Sequence, residues 1–299
     1  MKKLAYIAFA LLGVVWGSNF MFVKWAAVYV TPSQIVLLRV LFGFVPVLLY
    51  AAATKALCWR HARHTHHFVV MSLLATAVYY LAFAKGTVLL PSSVAGMLSG
   101  AIPLFTFICA FLFLREEPLN MQSAVGIGLG FLGVLTIARP WTATAFDVHG
   151  VLYMIAGSLS VGCSFVYAKK FIIPLRLPTA ALTTYQIGIA AVLLALVTDL
   201  TGLAVVFEDN RAWMGLVFGL GLCGTGLAYV MYYFIVEKLG AVTASSSSYL
   251  PPLVALAIGL VAGETLDRLD TIAMILILAG VATLQTVSRK SPRLSERTA

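Results

Sequence analysis

Residues 245–252 read Ser-Ser-Ser-Ser-Tyr-Leu-Pro-Pro, inside the otherwise apolar segment AVTASSSSYLPPLVALAIGLVA. Hydroxyls and a phenol in such a setting do the chemistry of non-covalent recognition: they donate to and accept from a polar solute. A proline inside a helix removes one backbone hydrogen bond and clashes with the preceding turn. Backbone groups freed at membrane depth must be buried in protein or line a water-filled cavity. Pro251 and Pro252 therefore predict a break beside the hydroxyls, and Pro103 predicts a second one with Ser99 on its N-terminal side. These three prolines are the candidate hinges. Ser246, Ser248 and Tyr249 are candidate cavity-lining groups. Ser245 and Ser247 suit helix packing, where small residues allow close approach.

Other residues in apolar runs carry related chemistry. Trp16 falls in the middle of the first run. Its ring can stack on an apolar or aromatic body, and Asn19, one turn on, can bind a polar end. The alternative is a packed indole and an amide that bridges helices. Tyr79, Tyr185 and Tyr229 are further candidates, since phenols at membrane depth need hydrogen-bond partners. Lys24 and Arg39 are the two charges inside apolar runs. Such charges are costly and read as functional, but both lie toward the ends of their runs, where long side chains can snorkel. Arg39 could instead attract a substrate carboxylate.

Several chemistries lack their residues. All eleven acids fall at the ends of apolar runs or outside them. The carboxylate that commonly relays protons in carriers is therefore missing at midplane, so facilitated diffusion or exchange is as well supported as antiport. A neutral or zwitterionic solute suits such a site better than an organic cation. The five histidines lie in connections; His61, His64, His66 and His67 form a short tract that reads as a solvated basic turn or, alternatively, a metal site. Cys58, Cys109, Cys163 and Cys223 have no paired spacing, so neither a disulfide nor a metal ligand set is expected. No GxxxxGK[ST] stretch is present for ATP. No metal, cofactor or nucleic-acid partner is expected, and neither is an enzyme.

The elements that must position these residues are membrane helices. The chain is 61% hydrophobic and 10% charged, with mean hydropathy +0.99. Apolar runs long enough to cross a ~30 Å hydrocarbon layer recur along it. The spans are expected at 4–29, 32–54, 67–88, 91–114, 120–139, 149–170, 179–202, 212–236, 241–262 and 270–288. The first run is too long for a signal-peptide core. Lys and Arg in short loops face the cytoplasm. One side collects Lys2, Lys3, Lys55, Arg60, Arg63, Arg115, Lys169, Lys170, Arg176, Lys238, Arg289, Lys290, Arg293 and Arg297; the other has Lys85, Arg139, Arg211 and Arg268. Both termini are therefore expected inside.

The halves are alike. SVAGMLSGAIP (93–103) aligns without gaps on AVTASSSSYLP (241–251), and Glu116 and Glu264 follow the two aligned prolines at the same distance. WGSNF (16–20) sits over VGCSF (161–165), which brings Ser164 opposite Asn19 as a further candidate. Five spans per half is an odd number, so the second half must enter from the opposite side, as in inverted-repeat transporters.

These stretches, with LLGVVWGSNFMFVKWA at the start of the first half and SVAGMLSGAIPLFTFICAFLFLREEPL in spans four and five, resemble the drug/metabolite transporter superfamily, EamA branch. Within it the chain is most similar to the bacterial aromatic amino acid exporters, through Trp16 and the tyrosines of the spans. One position departs: the counterpart of Trp16 is Val161, where such exporters can carry a second tryptophan. The expectation is an all-α polytopic membrane protein of ten transmembrane helices, two five-helix inverted repeats (1–146 and 147–299) around a central cavity. It would export neutral or aromatic amino acids and related small metabolites from a bacterial inner membrane by alternating access. It would work as a monomer or weak dimer in the lipid bilayer. The alternative is a broad-specificity, proton-coupled multidrug exporter of the same fold.

Overall fold

The computed structural model describes residues 2–114, 121–138, 147–239, 247 and 250–290, and the regular elements among them are all helical. Helix α1 is Lys2–Ala26, α2 Pro32–Ala53, α3 Trp59–Leu89, α4 Ser92–Leu114, α5 Met121–Ala138, α6 Val148–Leu175 and α7 Thr179–Val197. Helix α8 runs through Asn210–Met214, Gly215–Leu227 and Ala228–Leu239; α9 is Leu250–Val261 and α10 is Arg268–Lys290. Among the described residues, seven helices (α1 to α4 and α6 to α8) are long and apolar enough to cross a membrane. Shorter apolar stretches lie in α5 (Ala124–Ile137) and α9. The chain is thus an all-helical protein with several apolar spans; seven of the ten expected crossings meet that length and hydropathy.

Each principal helix contact has a counterpart when α1–α5 are exchanged with α6–α10. Helix α3 packs on α6 as α8 packs on α1, α2 on α8 as α7 on α3, and α4 on α6 as α9 on α1. Helices α2, α4 and α5 each pack on their own counterparts, α7, α9 and α10. Glycines set the closest crossings, where lipid provides no hydrophobic drive and close approach must supply the attraction. A Cβ on Gly96 of α4 would lie 2.1 Å from the Ala255 Cβ of α9. One on Gly280 of α10 would lie 2.6 Å from the Gly126 carbonyl oxygen and the Gly130 nitrogen of α5.

Two kinds of irregularity interrupt the spans. Helix α4 stops at Ser99, turns at Gly100–Ala101 through bonds to Met97 and Leu98, and restarts at Ile102. Pro103 is the second residue of the restarted helix, where its missing N–H costs nothing. Pro251 and Pro252 hold the same place at the start of α9. The other irregularity is π-helical winding at Leu73–Ala77 in α3, Ala168–Ile172 in α6 and Gly215–Leu227 in α8. Such turns leave carbonyls outside the usual ladder and recur at functional sites.

Candidate functional site

The α2 helix begins with a capping box. The Gln34 N–H donates to the Thr31 hydroxyl, and the Thr31 N–H donates to the Gln34 side chain (2.9 Å). Gln34 Nε2 also donates to the Asp199 and Thr201 carbonyls, tying the start of α2 to the α7–α8 connection. This fixes the register that turns Arg39 into the bundle, where it is 9% exposed. Its guanidinium lies 3.9 Å from the ring centroid of Tyr80, itself 6% exposed. Nε donates to Thr225 Oγ1 (3.0 Å) and Nη2 to the Gly224 carbonyl (3.4 Å), both in the π-helical stretch of α8. Thr225 in turn donates to the Leu220 carbonyl, five residues back. With the Asn19 amide turned to satisfy both its ends, its nitrogen donates to the Val15 carbonyl and its oxygen accepts from Arg39 Nη2, each at 3.1 Å.

Arg39 therefore does not snorkel. Among the described residues no carboxylate pairs with it, and Nε and Nη2 meet the neutral acceptors of Thr225, Gly224 and Asn19. Tyr79 lies beside this cation, half-buried, its ring 4.9 Å from Tyr80 and 4.6 Å from Phe83. It packs against both large apolar cores, one built mainly on α2, α7 and α8 and the other mainly on α4, α6 and α10. Tyr229 packs, half-buried, against the first of these. The structure thus brings together Asn19, Arg39 and Tyr79, and adds Tyr80, Gly224 and Thr225, which the sequence reading missed.

The remaining candidates lie elsewhere. Trp16 packs with Tyr232, ring centroids 6.3 Å apart, in a separate cluster around Leu12 and Met231. Ser99 and Ser164 are buried and spend their hydroxyl protons within their own helices, on the Gly96 carbonyl (2.6 Å) and the Val161 carbonyl (2.7 Å). Tyr185 stands at a bundle end: its hydroxyl reaches the Cys58 backbone and His61 Nδ1, and its ring stacks on Phe68. Ser246, Ser248 and Tyr249 lie outside the described residues; Ser247 between them is 1% exposed. Among the described residues no group of three metal-ligating side chains gathers. A groove of about 510 Å³ between α1 and α8 is lined by Val14, Phe22, Trp25, Met214 and Phe218. Several of these are exposed apolar side chains, and Arg39 is not among the lining residues.

A second polar assembly ties the halves together at the α3–α4 end. Gly263, at φ +86°, turns the chain after α9 and aims Glu264 back across the bundle. Its carboxylate accepts from the N–H and hydroxyl of Ser92 (2.8 and 2.6 Å) and of Ser93 (2.9 and 2.5 Å), at the start of α4. Negative charge at a helix N-terminus meets unpaired N–H groups and the positive end of the dipole. Burial raises the Glu264 carboxyl, but the four hydrogen bonds outweigh it and hold the group below the ordinary carboxylate range. Lys24 lies near enough to feel Glu264 and donates to the Val88 carbonyl (3.1 Å).

Comparison with known proteins places the chain among transporters. The model of the EamA-like transporter family matches residues 3–139 and again 148–286. An uncharacterized transporter of Archaeoglobus fulgidus is 24% identical over 94% of this chain and 98% of its own length. A probable amino-acid metabolite efflux pump of Salmonella typhimurium is 24% identical over 91% of each chain, and the uncharacterized inner membrane transporter YedA of Escherichia coli K12 is 24% identical over 64% of this chain and 61% of its own. One solved crystal structure shares the fold, with TM-score 0.60, 20% identity and coverage of 96% of this chain and 98% of the other.

Proposed function

The chain belongs to the EamA-like transporter family, and from that premise we propose that it exports amino acids, neutral or aromatic, and related small metabolites by alternating access, with the Arg39 cluster as the substrate site. One observation carries this reading: a buried guanidinium, held by neutral acceptors on helices from both halves, stands over the buried ring of Tyr80 and beside the half-buried ring of Tyr79. An α-carboxylate would pair with the Arg39 guanidinium, and an apolar or aromatic body would lie on Tyr79. The efflux-pump name of the Salmonella relative and the inner-membrane name of YedA support substrate and location in the same direction.

The loop-charge bias supports cytoplasmic termini, with α5, α9 and α10 completing ten crossings. In that orientation the Glu264–Ser92/Ser93 assembly closes the outer side. The break at Gly100–Ala101 and the paired prolines of α9 would let the ends of α4 and α9 move while the crossing at Gly96 and Ala255 stays packed.

The test is flux of a panel of labelled amino acids through purified protein in liposomes, with and without a proton gradient. Saturable flux of a few neutral or aromatic members, unaltered by the gradient, is expected. Gradient-dependent movement of lipophilic drugs with no amino acid flux would replace this reading with a multidrug exporter.

A further inference from the structure

We propose that Cys109 of α4 and Cys163 of α6 form a site of reversible oxidation, at which hydrogen peroxide joins the two halves by a disulfide and arrests transport. The bond stands on its own geometry; its effect on transport rests on the reading of the chain as an alternating-access carrier.

Nothing in the spacing of the four cysteines announces the pair, whose members are 54 residues apart and belong to different halves. The fold brings their sulfurs to 3.2 Å, close enough for one thiol to donate to the other, and both are free. The contact belongs to a longer seam. A Cβ on Gly162 would lie 2.9 Å from the Thr106 nitrogen and 3.1 Å from the Phe105 carbonyl carbon, so the main chains of α4 and α6 meet about one turn before Cys109. One turn after it, Lys170 Nζ donates to the Phe113 carbonyl (3.5 Å). The two helices thus run alongside each other in one direction, with the thiols between a backbone crossing and a polar tie. A disulfide needs two main chains held close, and this seam holds them. Cys58, exposed ahead of α3, and Cys223, in α8, lie on other elements.

Cys109 is 2% exposed, whereas Cys163 is only half-buried, so a small oxidant reaches Cys163 first. Its thiolate, the attacking form, takes one oxygen of peroxide: an S–O bond forms, the O–O bond breaks, and the other oxygen takes up a proton and leaves as water. The sulfenic acid then condenses with the Cys109 thiol: an S–S bond forms, the S–O bond breaks and a second water leaves. Two thiols and one peroxide become one disulfide and two waters, the sulfurs giving two electrons to the oxygens. A dithiol reductant reverses the bond by exchange.

The bond runs from the first half to the second, and on α4 it lies beyond the break at Gly100–Ala101. Alternating access needs one repeat to move on the other, so the link stops the cycle. It does so on helices that supply none of the groups holding Arg39.

The experiment treats the full-length protein, in detergent and in liposomes, with hydrogen peroxide and then with dithiothreitol. Free thiols are counted after denaturation with a maleimide-linked polyethylene glycol, the bonded peptides are identified by mass spectrometry, and flux of labelled L-phenylalanine is followed in the liposomes. The count is expected to fall from the four free cysteines by two, with Cys109 and Cys163 in one paired peptide. Flux should fall in proportion to the fraction bonded, and dithiothreitol should restore both. Cys109→Ser should form no such pair and keep its flux through peroxide. Survival of all four thiols in the folded protein would overturn the proposal, as would a bond to Cys58 or Cys223. Unchanged flux in fully bonded protein, or equal inhibition of Cys109→Ser, would overturn the arrest. The thiol count does not depend on substrate, so reduced protein that moves no phenylalanine would overturn the amino-acid reading while the count still decides the bond.

Discussion

At the scale of residues, the site is a cation held by aromatic and neutral polar groups. Replacing Tyr80 by Leu removes the face under the guanidinium, a contact worth up to about 2 kcal/mol where water is excluded. Thermal melting in detergent should fall for Tyr80→Leu and stay near wild type for Tyr80→Phe; equal melting of both would show that the ring face does not hold Arg39. Gly224→Ala is expected to impair both transport and folding, because its Cβ would lie 2.5 Å from the Asn19 side-chain amide and 2.7 Å from the Gly219 carbonyl oxygen, pushing the amide off the guanidinium. A fluorescence or flux assay showing wild-type substrate handling in Gly224→Ala would contradict the arrangement. Asn19, Arg39 and Tyr79 were legible in the sequence because polar or charged groups in apolar runs need a reason. Tyr80 was not, since two adjacent tyrosines point about 100° apart around a helix and only the neighbouring helices decide which one meets the cation. Thr225 was also illegible: a threonine among glycines reads as packing, and its role depends on the long-range contact of α2 with α8.

At the scale of elements, glycine crossings and broken helices decide the shape around the site. Gly96→Ala places a methyl 2.1 Å from the Ala255 Cβ, backbone-rooted on both sides; overpacking of this kind costs about 1–3 kcal/mol. Lower folded yield and a lower melting midpoint are expected, whereas Gly128→Ala, with nothing within 4 Å, should leave both unchanged. Equal behaviour of the two variants would deny the α4–α9 crossing. The break of α4 could be read from Pro103, although it falls two residues earlier, at Gly100–Ala101. The π-helical stretches could not, because no residue pattern distinguishes one extra residue per turn from an ordinary apolar helix. The serine tract from 245 drew attention through its polarity, but Ser99, its counterpart region in the first half, turns its hydroxyl back to its own helix. Polarity in an apolar run marks a constraint without saying whether backbone or solute satisfies it.

At the scale of the whole molecule, the contact pattern repeats under exchange of halves, and two polar assemblies join the halves at different depths. Glu264 was legible as the repeat counterpart of Glu116, but its partners were not, because a loop acid carries no sign of which helix end it caps. Its pH dependence follows from the direction of its shift. A carboxyl held below its ordinary range contributes stability that is complete above the ordinary value, about 4.3, and is lost as pH falls through the lowered one. Wild-type melting should therefore hold from neutral pH down to about 5 and fall below the ordinary range, while Glu264→Gln melts lower at neutral pH and shows less of that acid drop. Parallel pH profiles would rule out the assembly as a tie between halves. The most direct test of the central claim is efflux of labelled L-phenylalanine by wild type and Arg39→Gln in liposomes, each variant first shown to be folded by its melting profile. A charged hydrogen bond to substrate is worth about 1.5–3 kcal/mol, so the expected result is a loss of roughly 10- to 100-fold at low substrate. Equal efflux from the folded Arg39→Gln protein would contradict the assignment of this cluster as the place where substrate binds.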